Sequence, residues 1–198
     1  MTIPRVPSEL TRQEISVGHK KKKPFVIWLV GLSGAGKTTT ANSLSKRLSQ
    51  MGRQNYLLDG DVLRSGLCAD LDFSSHGRLE NLRRASEVAK LFHDAGIIVI
   101  ASFITPLESH RVLVRSKFFG SNFIEVFCSA NMQICEKRDP KGLYASARMG
   151  NIANFTGVCD TFEEPKNSEV VVDTGVVTVD EACQVIIEEL LRQNLLME

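Results

Sequence analysis

The stretch that most restricts the fold is Gly31 to Thr38, "GLSGAGKT", which fits G-x-x-x-x-G-K-[ST]. It follows the apolar run "FVIWLV" (25–30) and opens a helix-like segment. In that setting backbone N–H groups converge on phosphate oxygens, and the helix N-terminus adds its positive end. A glycine-rich turn without a ligand does not account for the strand–helix context. The motif marks Gly31, Ser33, Gly34, Ala35, Gly36, Lys37, Thr38 and Thr39 as a cradle for a purine nucleoside triphosphate. Lys37 is expected to reach the terminal phosphates, and the Thr38 hydroxyl to sit on Mg²⁺.

The rest of the chain agrees with this local demand. "NYLL" (55–58), "IIVIASFI" (97–104), "FIEVFC" (123–128) and "EVVVD" (169–173) are short and rich in β-branched and aromatic residues. Their near-continuous hydrophobicity predicts strands buried on both faces of a parallel sheet. Between them, 78–96 reads as a helix, with Leu82, Ala85, Val88, Ala89 and Phe92 on one face and Gly96 at its end. Residues 180–193 read as a closing helix with a stripe of Ala182, Val185, Ile186, Glu189 and Leu190. The expected fold is a doubly wound α/β domain, a mostly parallel five-stranded sheet sandwiched by helices. Ligands of such sheets bind beyond the carboxyl ends of the strands, which gathers the loops after residues 30, 58, 104, 128 and 173 on one edge. Residues 1–23, polar and ending in "HKKKK", read as a solvated lead-in, and 24–198 as a single domain.

Composition removes several classes of function. The net charge of +1 gives no global pull toward nucleic acid or a membrane surface. No apolar run approaches the roughly 20 residues of a membrane helix, and the N-terminus lacks a secretory pattern. Cys68, Cys128, Cys135, Cys159 and Cys183 contain no C-x-x-C pair, so free thiols in a reducing, cytoplasmic compartment are expected. His19, His76, His93 and His110 lack ligand spacing. There is no N-K-x-D for a GTP-binding switch. The strand at 97–104 leads to Ser102 and Thr105, where a motor-type ATPase would carry an acid.

The acids stand instead at Asp59 and Asp61, in "LDGDVLR", one strand after the cradle. A carboxylate there can tend the Mg²⁺ shell or accept a hydroxyl proton. Phosphoryl transfer needs positioning, Mg²⁺ and charge stabilisation above all, so the layout is that of a small-molecule kinase. Arg64, Arg78, Arg83 and Arg84 flank Phe73 and Asn81. Guanidinium groups hold phosphate or sulfate through paired hydrogen bonds, although Arg83 and Arg84 read equally well as a charged helix face. The basic, glycine-dotted stretch over about 138–160 reads as a lid that excludes water, or else as a plain surface excursion.

Taken in order, "GLSGAGKTT", "LDGDVLRSGL", "DLDFS…GRLENLRR", "SFITP", "FIEVF" and "RDPKGLY…FTG" resemble the adenylylsulfate (APS) kinase family. The resemblance runs from about residue 10 to about residue 175. It implies a P-loop nucleotide-kinase-like fold, ATP as donor with Mg²⁺, and transfer to the 3′-hydroxyl of APS, giving 3′-phosphoadenylylsulfate (PAPS). It also implies a homodimer. Matched to the family pattern, Phe73 and Phe155 correspond to an aromatic pair around the APS adenine. Arg64, Arg78 and Asn81 correspond to phosphosulfate and ribose contacts, and Ile104 to backbone contacts beside the purine. Lys141 corresponds to a lid lysine reaching toward phosphates. Asp61 falls near the acceptor hydroxyl and Asp59 near the metal, with the division of labour between them open. The chain departs from the pattern at "FITPL" (103–107), where many members carry serine at the Thr105 position, and at "DTFEEP", where Phe162 replaces tyrosine. Direct in-line transfer needs no phosphoenzyme at Thr105.

Overall fold

A computed structural model describes residues 23–118 and 120–197. Apart from Lys23, the expected lead-in lies outside the described residues. Five strands form one sheet: β1 (Val26–Val30), β2 (Asn55–Asp59), β3 (Ile98–Ser102), β4 (Phe123–Ser129) and β5 (Val170–Asp173), in the order β2-β3-β1-β4-β5. Every neighbouring pair is parallel, so the sheet is wholly rather than mostly parallel. Each expected strand is present, with ends shifted by a residue or two.

Period-two alternation divides the strand side chains between two cores. Phe25, Ile27 and Leu29 enter one core with Ile98, Ile100, Ile124 and Val126. Val26, Trp28 and Val30 enter the other with Val99, Ala101, Phe123 and Phe127. Burial on both faces is what makes these strands read as unbroken apolar runs.

Helices α1 (Lys37–Gln50) and α7 (Val179–Arg192) cover the first face; α3 (Ser75–Asp94) and α4 (Glu108–Arg115) cover the second. Three short helices complete the fold: α2 (Gly60–Arg64), α5 (Met132–Arg138) and α6 (Leu143–Arg148). Helix α3 starts three residues before its expected first residue. The Ser74 hydroxyl accepts from Gly77 N at 3.1 Å and satisfies one of the orphan N–H groups there. Helix α7 opens with a capping box between Thr178 and Glu181. Its buried stripe is Ala182, Cys183, Ile186, Ile187 and Leu190. Val185 is 43% exposed and Glu189 is only partly buried, which corrects two positions of the expected stripe. The two faces of the stripe differ because α7 packs against both α1 and β5, which turns Cys183 and Ile187 inward. No helix among the described residues is long and apolar enough to cross a membrane.

Candidate active site

The cradle lies where β1 hands over to α1. Gly31 has φ +145°, and a Cβ there would stand 2.6 Å from the Cys128 carbonyl oxygen, so only glycine fits. Its N–H donates to Ile104 O at 3.3 Å, tying the cradle to the chain beyond β3. Lys37 is the first residue of α1; its Nζ is buried and donates to Leu32 O at 2.7 Å. Burial pushes this ammonium from 10.5 down to about 8. A buried cation with only a carbonyl for a close partner sits in a position that favours an arriving anion.

The Thr38 hydroxyl donates to Asp59 Oδ2 at 2.8 Å and lies 3.2 Å from Ser102 Oγ. Asp59 and Ser102 are register partners across β2 and β3, which sets their side chains beside the cradle. Asp59 Oδ1 accepts the Asp61 N–H at 2.9 Å and caps α2. Both Asp59 oxygens are thus engaged. The Asp61 side chain is 67% exposed and pairs with Lys141 from the segment between α5 and α6.

Arg64, Phe73, Arg78 and Asn81 come from α2, the following loop and α3. The Arg64 guanidinium lies 4.2 Å over the Phe73 ring and donates to the Leu71 and Asp72 carbonyls. Arg78 donates to Phe73 O at 2.9 Å and also to Thr156 Oγ1 and Asn154 O. Burial, and for Arg64 the neighbouring Arg78, lowers the proton affinity of both guanidinium groups. Asn81 is 6% exposed, and its Oδ1 has no hydrogen-bond partner among the described residues.

One cleft of about 1380 Å³ brings nearly all the sequence-predicted residues together. Its lining includes Ser33, Gly34, Gly36, Lys37, Thr38, Thr39, Asp59, Asp61, Arg64, Phe73, Arg78, Asn81, Ile104, Lys141 and Phe155. Gly31 and Ala35 are not part of this lining. The two expected aromatic partners are in different states. Phe73 is 57% exposed, whereas Phe155 is buried, edge-on to Tyr144 at 4.9 Å. Arg83 and Arg84 are held elsewhere: both pair with Glu80, and Arg84 also with Asp70. Of their two sequence readings, the charged helix face is the one observed.

Several lining residues carried no sequence signal of their own. Arg138 donates to Gly34 O at 3.3 Å and to Thr174 O at 2.7 Å, linking the base of the lid segment to the cradle and to the loop after β5. Thr174 Oγ1 in turn donates to Ala35 O at 2.8 Å. Ser102 completes the hydroxyl–carboxylate group. The sheet-edge rule had marked the loop after residue 173, but not which residue in it would matter. Chemically, the cleft offers five cations (Lys37, Arg64, Arg78, Arg138 and Lys141) and three aspartates (Asp59, Asp61 and Asp72). A cleft so lined suits anionic ligands.

Residues 23–173 match the family Adenylylsulphate kinase. The chain is 48% identical over 178 residues to the adenylyl-sulfate kinase of Prochlorococcus marinus, covering 90% of this chain and 87% of that one. It is 49% identical over 176 residues to the adenylyl-sulfate kinase of Clostridium acetobutylicum, covering 89% and 88%. Among solved structures, the Mycobacterium tuberculosis APS kinase in complex with AMPPNP and APS superposes with a TM-score of 0.81 at 44% identity, covering 85% of this chain and 98% of that one.

Proposed function

The chain belongs to the adenylylsulphate kinase family, and from that premise we propose that it transfers the γ-phosphoryl group of ATP to the 3′-hydroxyl of APS, yielding ADP and PAPS. The observation that carries the reading is that one cleft is lined by the phosphate cradle, by Asp61 and by the Arg64–Phe73–Arg78–Asn81 group. In this reading ATP lies along the cradle. Lys37 exchanges its bond to Leu32 O for a phosphate oxygen, and Lys141 leaves Asp61 for the same polyphosphate. APS lies against Phe73 and Phe155, with Arg64, Arg78 and Asn81 at its anionic and ribose groups and the Ile104 backbone beside its purine.

The two aspartates separate by their existing engagements. Asp59 already holds Thr38 and the N-terminus of α2, which suits a group that stays still. Asp61 has only Lys141, and once that cation turns to phosphate its carboxylate is available to take the 3′-hydroxyl proton. Transfer is then in line, from the γ-phosphorus to the acceptor oxygen, with no covalent enzyme intermediate.

Magnesium fits the oxygens present. The Thr38 hydroxyl, the Asp59 carboxylate and the Ser102 hydroxyl form a hard, all-oxygen set. Among the described residues no group of three His, Cys, Asp or Glu could hold a metal by itself, so substrate phosphate oxygens would have to complete the shell. When bound, Mg²⁺ would neutralise charge on the β- and γ-phosphate oxygens. Residues 138–160 serve as the lid, tied down through Arg138, Lys141 and the Asn154–Thr156 contacts to Arg78. The five unpaired thiols fit a cytoplasmic enzyme, and we carry over the homodimer suggested by the family.

The test is incubation with ATP, Mg²⁺ and a panel of acceptors, including APS, gluconate and shikimate, with identification of the phosphorylated product. PAPS and ADP from APS are expected. ADP formation with another acceptor and none with APS would overturn the reading.

A further inference from the structure

Three residues beyond β3 the backbone does something unusual. Among the described non-glycine residues, Thr105, Asn154 and Asn194 have positive φ. Asparagine tolerates that region; a β-branched residue does not, so φ +44° at Thr105 is held against a steric penalty. Such conformations persist only when the surroundings over-determine them.

Here the surroundings are explicit. The Trp28 indole N–H donates to Thr105 Oγ1 at 2.9 Å, a buried bond spanning 77 residues of chain. Arg111 Nη1 donates to the Thr105 carbonyl at 3.2 Å, and Arg111, 3% exposed, is itself fixed by Glu108 Oε2 at 2.7 Å. Both neighbours are also tied: Ile104 O accepts from Gly31 N, and Pro106 O from Glu163 N at 2.8 Å. The bend supplies cleft wall, since Phe103, Ile104, Thr105 and Pro106 all line it. Phe103 stacks on Trp28 at 4.9 Å, and its ring lies 3.1 Å from where a Gly60 Cβ would stand, between Asp59 and Asp61. This wall is therefore on the side of the cleft where the acceptor hydroxyl has to arrive.

We infer that Thr105 is a positioning residue for the acceptor: its hydroxyl, held by the Trp28 indole, fixes the left-handed bend that aims Phe103, Ile104 and Pro106 at the acceptor nucleotide. The inference rests on the APS kinase reading above. Thr105 itself is 1% exposed and acts through these neighbours rather than by touching the reacting atoms.

The test uses the full chain with three variants and their double. Thr105→Val keeps the shape but leaves a buried indole N–H without an acceptor. Thr105→Ser keeps the hydroxyl. Trp28→Phe keeps a ring against Phe103 but removes the donor. Thr105→Val and Trp28→Phe should each raise the KM for APS by about tenfold, with the KM for ATP within about twofold of wild type. Thr105→Ser should stay within about twofold for both. The Thr105→Val/Trp28→Phe double should cost no more than either single, because the same bond is removed once. Equal rises in both KM values, no rise in either, or an additive double would overturn the inference.

Wild-type protein gives an arm that needs no variant, since Trp28 is the only tryptophan in the chain. APS added in the presence of ADP should change its emission, whereas AMPPNP alone should not. Unchanged emission with APS shown by calorimetry to be bound would overturn the inference. A wild-type chain that makes no PAPS instead overturns the functional reading, so the two failures are distinct.

Discussion

Replacing Asp61 by alanine should separate turnover from both stability and nucleotide binding. The carboxylate is dispensable to the fold because α2 is capped by Asp59 Oδ1 on the Asp61 backbone N–H, which alanine keeps. What is lost is the pair with Lys141, whose members are 67% and 50% exposed. An exposed pair contributes at most about 1 kcal/mol, so Tm should move by no more than about 4 °C for a chain of this size. If Asp61 takes the acceptor proton, its removal costs about 10²- to 10⁴-fold in kcat, or about 2.7–5.4 kcal/mol of barrier. The effect on ATP has the opposite sign. In the free protein Asp61 competes with phosphate for Lys141, so Asp61→Ala should bind ATP as well as wild type or up to about fivefold more tightly, the equivalent of about 1 kcal/mol. ADP release with saturating APS, calorimetric titration of ATP and thermal melts read the three quantities. A fall in ATP affinity parallel to the fall in kcat would refute the reasoning and make Asp61 a nucleotide ligand. A large loss of Tm would make it a structural residue.

Lys37 gives a pH signature. Burial holds its ammonium down to about 8, and bound phosphates favour the charged form. ATP should therefore take up a proton on binding at pH values just above 8, and its affinity should fall as pH rises through that value. Titrations in two buffers of different ionisation enthalpy check this; a binding heat independent of buffer would contradict it. Gly31→Ala places a Cβ 2.6 Å from the Cys128 carbonyl oxygen. Since backbone must move, a loss of about 1–3 kcal/mol of stability together with weakened ATP binding is expected, and wild-type melting and affinity would count against the tight fit. Asn81→Leu removes a buried carbonyl oxygen that lacks a hydrogen-bond partner among the described residues. Tm should hold or rise by a few degrees, on the order of 1 kcal/mol, while the KM for APS rises. A lower Tm with unchanged APS kinetics would show Asn81 to be structural.

The strands were legible because β1 and β3 are buried on both faces, so each residue had to be apolar whichever core it entered. The cradle was legible because its glycines and its Lys-Thr pair follow from phosphate chemistry. Helices α5 and α6 were not read from the sequence. Both are short, and α6 begins after Gly142 at φ +66°, so no periodic stripe had room to develop. The α7 stripe was misread at Val185, whose exposure is decided by how α7 meets α1 and β5 rather than by its own spacing. At the site, residue type singled out Asp59, Asp61, Arg64 and Arg78, which the fold brings to one cleft, but it could not separate them from Arg83 and Arg84, which turn to Glu80. It could not pick out Arg138 or Arg111, which resemble surface arginines until the carbonyls they serve are brought to them from residues distant in sequence or across a bend.

The contacts at the two ends of the segment 138–160 have a mechanical consequence. One end is pinned by Arg138 to Gly34 and Thr174. The other is pinned where Glu163 exchanges hydrogen bonds with Pro106 and Glu108. A segment anchored at both ends cannot swing like a door. Its middle is held by the contacts of Asn154 and Thr156 with Arg78 and of Lys141 with Asp61, so any arching of this strap has to break them. On the proposed kinase reading, product release is thus geared to side chains placed at the substrates, and slackening any one of them should quicken release at the expense of retention.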